Sequence, residues 1–303
     1  MQSDSSQPAR EPMSPLSDNA RGALLMVASM AGFSLNDALI KLVSGEMGLF
    51  QAILLRGLMA SALLGGLAWA QGALAPRIAP PDRPLIALRT LMEVGATTCF
   101  LTALFAMPIA NATAILQMLP LTTTLGAALF LRERVGWRRW SAIGVGFAGM
   151  LVIVRPGMAG FDAASLWALA AVGFVTVRDL VTRRFSKGAP SVFVAFLTAI
   201  AITAAGAVGA AFGTWAPVSA HAASALAGAA GFLLIGYLTA VMTMRVGEIG
   251  VVAPFRYTIL IWATALGWLL FDETPDAFTF IGAAIVAGAG LYTFRRQRRV
   301  AGR

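Results

Sequence analysis

The residues of this sequence that could take part in chemistry lie inside its most apolar stretches. "GFSLNDALIKLV", residues 32–43, carries Asn36, Asp37 and Lys41 among alkyl and small side chains. A charge at the centre of a membrane-spanning helix costs about 2.5–3.5 kcal/mol on insertion scales, so such residues usually face a cavity or a partner. A cavity with charges of both signs and aromatic rings suits a zwitterion, because arginine binds its carboxylate and an acidic group binds its ammonium.

The candidate substrate-binding residues are the polar and aromatic side chains well inside these stretches. They are Asn36, Asp37, Arg56, Glu93, Gln117, Tyr237, Arg256 and Tyr257. Asp37, Arg56 and Arg256 have no evident partner within their own stretch. A carboxyl group in such a cavity, Asp37 or Glu93, could also carry a proton, which makes protons a candidate coupling ion. A uniporter would need no such group.

Other charged residues of the apolar stretches have simpler interpretations. Arg89 and Glu93 are four residues apart and share a helix face, so an internal ion pair and a role in binding both stay open. Arg178 and Asp179 approach the end of their stretch, which favours a structural and orienting role. Lys41 lies near the end of its stretch and is expected to reach the membrane interface.

The composition places these residues in a membrane. The chain is 58% hydrophobic and 12% charged, whereas a soluble domain has about 25% charged residues. Runs near the roughly 20 apolar residues that cross a bilayer occur at 22–44, 48–71, 85–107, 110–131, 137–155, 164–183, 190–213, 222–244, 249–271 and 277–294. The sequence therefore predicts an all-α integral membrane protein with ten transmembrane helices.

Basic residues alternate between successive connections. "RERVGWRR" at 132–139 and "RRQRRVAGR" at 295–303 are basic, whereas "SGEMG" at 44–48 and "DETPD" at 272–276 are not. The positive-inside rule then places both termini in the cytoplasm, in a multi-pass protein of the inner membrane. The net charge of +9 is read as an orientation signal and a contact with anionic lipid, and we expect no nucleic-acid partner.

The chain repeats itself at about half its length. "GFSLNDALIKLVSG" at 32–45 falls on 173–186, and 130–155 falls without gaps on 270–295. Matches at nearly the same offset indicate a duplication, and halves of five spans must cross the membrane in opposite directions. The predicted organisation is a disordered cytoplasmic tail 1–21, a first five-helix repeat 22–155, a second five-helix repeat 164–294 and a basic cytoplasmic tail 295–303.

Residues 106–157 carry a family resemblance: Pro120 lies inside the fourth span, Glu133 ends that span, and a glycine-rich span follows. With the two five-helix halves, this pattern resembles the EamA family, the ten-helix branch of the drug/metabolite transporter superfamily, over residues 22–295.

The second half departs from the pattern, because Leu260 matches Pro120 and Pro254 comes six residues earlier. We therefore expect a kink of the ninth span nearer its cytoplasmic end. Glu133 and its match Glu273 are expected to serve structure or gating.

The inverted repeats and the resemblance imply a secondary transporter that alternates access to a site between its halves. Some members of the family export amino acids, aromatic ones included, which favours an exporter of amino acids and related small metabolites. Uptake of a vitamin or nucleoside-like metabolite is the alternative within transport, and a pore or scaffold without turnover is a third class.

An integral membrane enzyme is disfavoured, because the chain has one histidine, one cysteine and no common catalytic motif. We expect no cofactor and no metal. The expected partners are the bilayer and a small-molecule substrate, and a monomer can suffice in an internally duplicated transporter.

Overall fold

A computed structural model describes residues 18–74, 78–132, 136–156, 162–186, 191–246 and 249–301. The described residues form helices and contain no strand, which confirms the all-α prediction. Within them, eight helical spans are long and apolar enough to cross a membrane, and Ala277–Thr293 is a shorter apolar segment.

The first half contains five helical spans. They are α1 (Asp18–Leu42), α2 (Leu49–Ala70), α3 (Asp82–Ala106), α4 followed by α5 (Ile109–Leu116 and Leu119–Phe130) and α6 (Trp137–Val154). Residues 1–17 of the predicted tail lie outside the described residues. Because α1 begins at Asp18, residues 18–21 are helical, and the prediction of disorder was wrong for them.

The second half repeats this series. It consists of α7 (Ala164–Thr182), α8 (Ser191–Ala211), α9 (Ala220–Val246), α10 followed by α11 (Ile249–Val252 and Thr258–Phe271) and α12 (Ala277–Ala301), and a 3₁₀ turn, Ala253–Tyr257, joins α10 to α11. The last helix is longer than predicted, since it runs through residues 295–301 of the basic tail.

Two spans are discontinuous, one in each half. α4 ends at Leu116, four residues before Pro120, which is the second residue of α5. A proline lacks the amide hydrogen and clashes with the carbonyl four residues earlier, so a break at this place follows from the sequence. In the second half the 3₁₀ turn contains Pro254, in agreement with the kink expected there.

The principal helix contacts join one half to the other. α1 packs on α9, α3 on α7, α2 on α8 and α6 on α12. If α1 corresponds to α7 and α3 to α9, the α1–α9 contact is the same contact as α3–α7 with the halves exchanged. The contacts of α1 with α11 and of α5 with α7 are exchanged in the same way. This pattern is typical of two interlocked halves related by an approximate two-fold axis.

The bundle has two ends, named here after one residue at each. The Glu46 end holds the connections that follow α1, α3, α6, α8 and α11. The Asp82 end holds the start of α1 and the connections that follow α2, α5, α7 and α9.

Small residues allow α2 and α8 to approach closely, and at Gly206 the nearest atom of α2 belongs to the backbone. A Cβ atom at Gly206 would lie 2.7 Å from the Leu54 backbone nitrogen and 2.9 Å from Ile53 Cγ2. We expect Gly206→Ala to lower the free energy of unfolding by about 1–3 kcal/mol through overpacking, measured as a lower melting temperature in detergent. Gly173→Ala is the control, because that position has open space around it and alanine favours a helix by up to about 1 kcal/mol. Equal melting temperatures of the two variants would contradict the prediction.

Candidate functional site

A cavity of about 520 Å³ lies between the two halves, within the usual size range of small-molecule sites. All eight residues selected from the sequence line it: Asn36, Asp37, Arg56, Glu93, Gln117, Tyr237, Arg256 and Tyr257. The charged residues Arg89, Arg178 and Asp179 line it as well. The structure thus brings the candidates together, and their role in binding a substrate stays a prediction.

The cavity extends from the middle of the bundle toward the Asp82 end. Along α7 its lining reaches Thr182, the last residue of that helix. Along α1 the lining stops at Asp37, one turn before Lys41. Both discontinuous spans face the cavity at their breaks, the first through Gln117 and the second through Arg256 and Tyr257.

Asn36, Asp37 and Arg56 form one polar cluster of the lining. The Asn36 amide donates a hydrogen bond of 2.8 Å to Asp37 Oδ1, and Arg56 Nη1 donates to Asn36 Oδ1 at 3.1 Å. The amide therefore bridges the two charges, and it is buried, as is the arginine. Arg56 Nε has no hydrogen-bond partner in the described part of the chain. A buried donor without a protein partner is costly, so Arg56 Nε is available to a polar group of a bound ligand.

Arg178 holds a second cluster. Its Nη1 lies 3.0 and 2.8 Å from the two carboxylate oxygens of Glu93, and its Nε and Nη2 donate to Asp179 Oδ1 at 2.9 and 2.8 Å. Arg89 instead donates to Thr198 Oγ1 at 2.8 Å. The internal Arg89–Glu93 ion pair, which was one of the two interpretations of their four-residue spacing, is therefore not formed. Arg178 and Asp179, which the sequence placed in a structural role, face the cavity.

The pairing of Glu93 with Arg178 can be separated from any pairing with Arg89 by a double-mutant cycle. We expect Glu93→Gln and Arg178→Gln to show a coupling free energy of about 1–3 kcal/mol. Either substitution alone breaks the ion pair, so adding the other one removes little further stability. Glu93→Gln with Arg89→Gln should be additive within about 0.5 kcal/mol. Thermal or denaturant unfolding in detergent measures both cycles. Stronger coupling to Arg89 than to Arg178 would contradict the structure.

Gln117 owes its position to the break between α4 and α5. Its backbone amide bonds to the Ala114 carbonyl at 3.1 Å, not to the Thr113 carbonyl that a continuous α-helix would use. The side-chain amide of Gln117 then donates to the Thr113 carbonyl at 3.2 Å. This candidate therefore completes the backbone hydrogen bonding at the break as well as lining the cavity.

The second break presents Arg256 and Tyr257 to the cavity. The Tyr257 hydroxyl is buried without a hydrogen-bond partner among the described residues. It fits only because residue 290 is glycine, since a Cβ there would lie 1.6 Å from the hydroxyl oxygen. The Arg256 side chain lies on an exposed residue and makes no hydrogen bond or ion pair to any part of the chain that the structure describes. Tyr237, in contrast, donates from its hydroxyl to the Ser191 carbonyl at 3.1 Å.

Lys41 does not reach the membrane interface, so that prediction was wrong. Its side chain is 8% exposed, and Nζ donates to Glu273 Oε1 at 2.6 Å and to the Met107 carbonyl at 2.7 Å. Glu273 Oε2 accepts a hydrogen bond of 3.0 Å from the Ile109 amide, the first residue of α4. A carboxylate at a helix N-terminus is favoured by the unpaired amides there. The pair therefore ties α1, α4 and the end of α11 together.

Further polar contacts join the two halves at the Glu46 end. They are Gln51 with the backbone of Ala216, Glu46 with Ser219 and His221, and Arg155 with Asp276. Hydrogen bonds from Ser219 and His221 lower the pKa of the exposed Glu46 carboxyl. A lowered pKa means that this contact stabilises the fold above the ordinary carboxyl pKa and weakens as the pH falls through the lowered value. At neutral pH this contact is formed together with the others that join the halves at the Glu46 end. Glu133, the match of Glu273, lies outside the described residues.

Known proteins resemble this chain along most of its length. Residues 20–155 match the EamA-like transporter family. The chain is 26% identical over 279 residues to an S-adenosylmethionine uptake transporter of Rickettsia felis, which covers 91% of this chain and 92% of that protein. It is 30% identical over 201 residues to a riboflavin transporter of Vibrio cholerae, covering 66% of this chain and 67% of that protein.

The similar proteins also include an exporter and a protein of solved structure. The chain is 26% identical over 291 residues to the pseudopaline exporter CntI of Pseudomonas aeruginosa, covering 91% of this chain and 97% of that protein. A solved crystal structure aligns with a TM-score of 0.65 at 22% identity, over 92% of this chain and 98% of the other. That similarity supports the fold.

Proposed function

Because the chain belongs to the EamA-like transporter family, we propose that it exports amino acids, aromatic ones included, and related small metabolites by alternating access. Membership of this family gives the general functional class: the chain is a multi-pass membrane transporter of small metabolites and not an enzyme. The substrate, the direction, and a location in the inner membrane with both termini in the cytoplasm are parts of the proposal.

The observation that carries the proposal is the cavity between the halves, lined by arginines, carboxylates and aromatic rings. Arginine binds a carboxylate through paired N–H donors, and Asp37 can accept hydrogen bonds from an ammonium. Phe100 and Tyr257 provide apolar faces for the rest of the molecule. An amino acid with an apolar side chain uses all three kinds of group.

The arrangement of the two ends supports alternating access. Cross-half polar contacts close the Glu46 end, and the cavity extends toward the Asp82 end. In the proposed orientation the Asp82 end is cytoplasmic, so this state is the one in which an exporter would load its substrate. Rocking of the halves must then break the Lys41–Glu273 contact.

Asp37 is the better of the two carboxylates to carry a coupling proton. Glu93 gives both of its oxygens to Arg178, so a proton there would have to displace an ion pair. Asp37 accepts one hydrogen bond, from a neutral amide, within the described part of the chain. Proton exchange at Asp37 therefore requires no ion pair to separate.

Uptake of a nucleoside-like or vitamin-like metabolite is the second candidate. It is supported by the names of two relatives, an S-adenosylmethionine uptake transporter and a riboflavin transporter. S-adenosylmethionine joins an α-amino acid to a nucleoside, so a cavity with charges of both signs and aromatic rings fits either candidate.

The test is uptake of labelled phenylalanine into proteoliposomes that contain the purified protein and are preloaded with unlabelled amino acid. Protein-free vesicles are the control, and internal and external pH are varied independently. We expect saturable uptake that leucine and tryptophan inhibit. A proton gradient directed out of the vesicles, opposite to the movement of substrate, should drive this uptake.

The outcomes separate the candidates. Saturable transport of labelled S-adenosylmethionine or riboflavin that amino acids do not inhibit would favour the second candidate. Flux that neither saturates nor exchanges would indicate a pore. Saturable phenylalanine transport with no response to pH would support the proposed substrate and contradict coupling to protons.

A further inference from the structure

Arg89 lines the cavity without an acidic partner of its own. Its Nη1 donates to Thr198 Oγ1 at 2.8 Å, a neutral hydroxyl. Glu93, one helical turn away, gives both carboxylate oxygens to Arg178 instead. A guanidinium has five N–H donors in a fixed fork, so most of the donors of Arg89 remain for a ligand.

Thr198 holds one arm of this guanidinium in place. Its hydroxyl donates to the Val194 carbonyl at 2.6 Å and accepts the hydrogen bond from Arg89. Thr198 is 6% exposed, so the packing around it fixes its position. An arginine anchored in this way loses less conformational freedom when it binds an anion.

The charge of the lining favours an added anion. Among the described lining residues there are four arginines and three carboxylates, namely Arg56, Arg89, Arg178 and Arg256 with Asp37, Glu93 and Asp179. Both Glu93 and Asp179 are hydrogen-bonded to Arg178, and Asp37 lies beside Arg56 through Asn36. The lining therefore holds one arginine more than it holds carboxylates, so the carboxylate of a zwitterion can pair with an arginine without displacing an acidic side chain.

From these contacts we infer that Arg89 is the residue that binds the carboxylate of the transported metabolite. The inference rests on the proposed function and names a residue for one part of its substrate. Along α3 the lining runs from Arg89 through Glu93 and Thr97 to Phe100. The carboxylate therefore lies toward the Asp82 end, and the apolar part of the metabolite lies toward Phe100 in the middle of the bundle.

The test introduces Ala195→Cys and measures how fast charged thiol reagents modify this cysteine at position 195 in detergent-solubilised protein. Ala195 lines the cavity on α8, one turn from Thr198, and Cys99→Ala removes the native thiol. The anionic reagent is 2-sulfonatoethyl methanethiosulfonate, and the cationic one is its trimethylammonium analogue. We expect Arg89→Gln to lower the anion-to-cation rate ratio about tenfold.

Two variants keep this result interpretable. Arg138→Gln removes an exposed arginine outside the cavity at the same end of the bundle and should leave the ratio unchanged. Arg89→Lys keeps the charge and should hold the ratio within about twofold. The inference would be overturned by a ratio that changes less than about twofold in Arg89→Gln, by an equal fall in Arg138→Gln, or by a cysteine that neither reagent modifies.

A second arm tests carboxylate binding itself. Benzoate should slow modification of the cysteine at position 195 while benzamide does not, and Arg89→Lys should abolish this protection because an ammonium lacks the paired donors of arginine. Equal protection by benzoate in Arg89 and Arg89→Lys proteins, or by benzamide and benzoate alike, counts against the inference. None of these rates depends on transport. A protein with the expected rates and protection but no amino-acid flux would refute the proposed substrate alone.

Discussion

Lys41→Met should open the cavity to reagents added on the Glu46 side. The substitution removes the ammonium that bonds both Glu273 and the Met107 carbonyl and leaves the Glu273 carboxylate partly buried without its cation. Loss of one member of a buried ion pair destabilises by about 3–5 kcal/mol, and here the destabilised state is the one closed at that end. We expect modification of a cysteine at position 195 by the membrane-impermeant anionic reagent to rise at least about tenfold, which requires about 1.4 kcal/mol of the change.

The measurement uses sealed vesicles of known protein orientation, with the reagent on the Glu46 side only. Glu46→Gln is the matched control, because it breaks an exposed cross-half contact at the same end, and exposed pairs contribute little to stability. Lys41→Met with Glu273→Gln should keep the increased labelling and recover part of the lost melting temperature, since no unpaired carboxylate remains. Unchanged labelling in Lys41→Met would show that this contact does not hold the end shut.

Asp37→Asn should abolish the acceleration of transport by a pH gradient while retaining exchange of substrate. The asparagine keeps the size of the side chain and its bond with Asn36, but it cannot bind and release a proton in the working pH range. Net uptake driven by a pH gradient should fall at least about tenfold. Exchange of labelled for unlabelled phenylalanine at equal pH should fall less, because it requires no net proton movement.

Asp18→Asn provides the control for that comparison. Asp18 begins the same helix and lies outside the cavity, so both rates should stay at the level of the unmodified protein. Equal losses of driven uptake and exchange in Asp37→Asn would make Asp37 a binding residue without a role in coupling. Full driven uptake would remove it from the mechanism.

Hydropathy was sufficient to locate the helices, because each span is a local property of the sequence. The predicted 85–107 and 164–183 correspond to α3 and α7 within a few residues. The polar residues deep inside the spans could also be recognised as candidates for a site, because a charge at that depth usually faces a cavity or a partner. Polarity at that depth is therefore the signal in the sequence that predicts the candidate site.

The ion-pair partners of Lys41 and Glu93 could not be predicted, because they lie in the other half of the chain. Lys41 meets Glu273 and Glu93 meets Arg178, and no spacing within one helix encodes either contact. The rule of four-residue spacing could offer only Arg89 as a partner for Glu93, because the rule considers a single helix, and it left a role in binding equally open. Gln117 was found for its polarity alone, since its contact with the Thr113 carbonyl exists only where the helix is broken.

The concentration of cross-half contacts at the Glu46 end has a consequence for pharmacology. A compound that fits the cavity but cannot cross the bilayer would find its site from the Asp82 side and meet a sealed surface on the other. Its inhibition should therefore be sided, strong in vesicles that expose the Asp82 end and weak in vesicles of opposite orientation. Screening with intact cells, in which the proposed orientation exposes only the Glu46 end, would overlook such compounds.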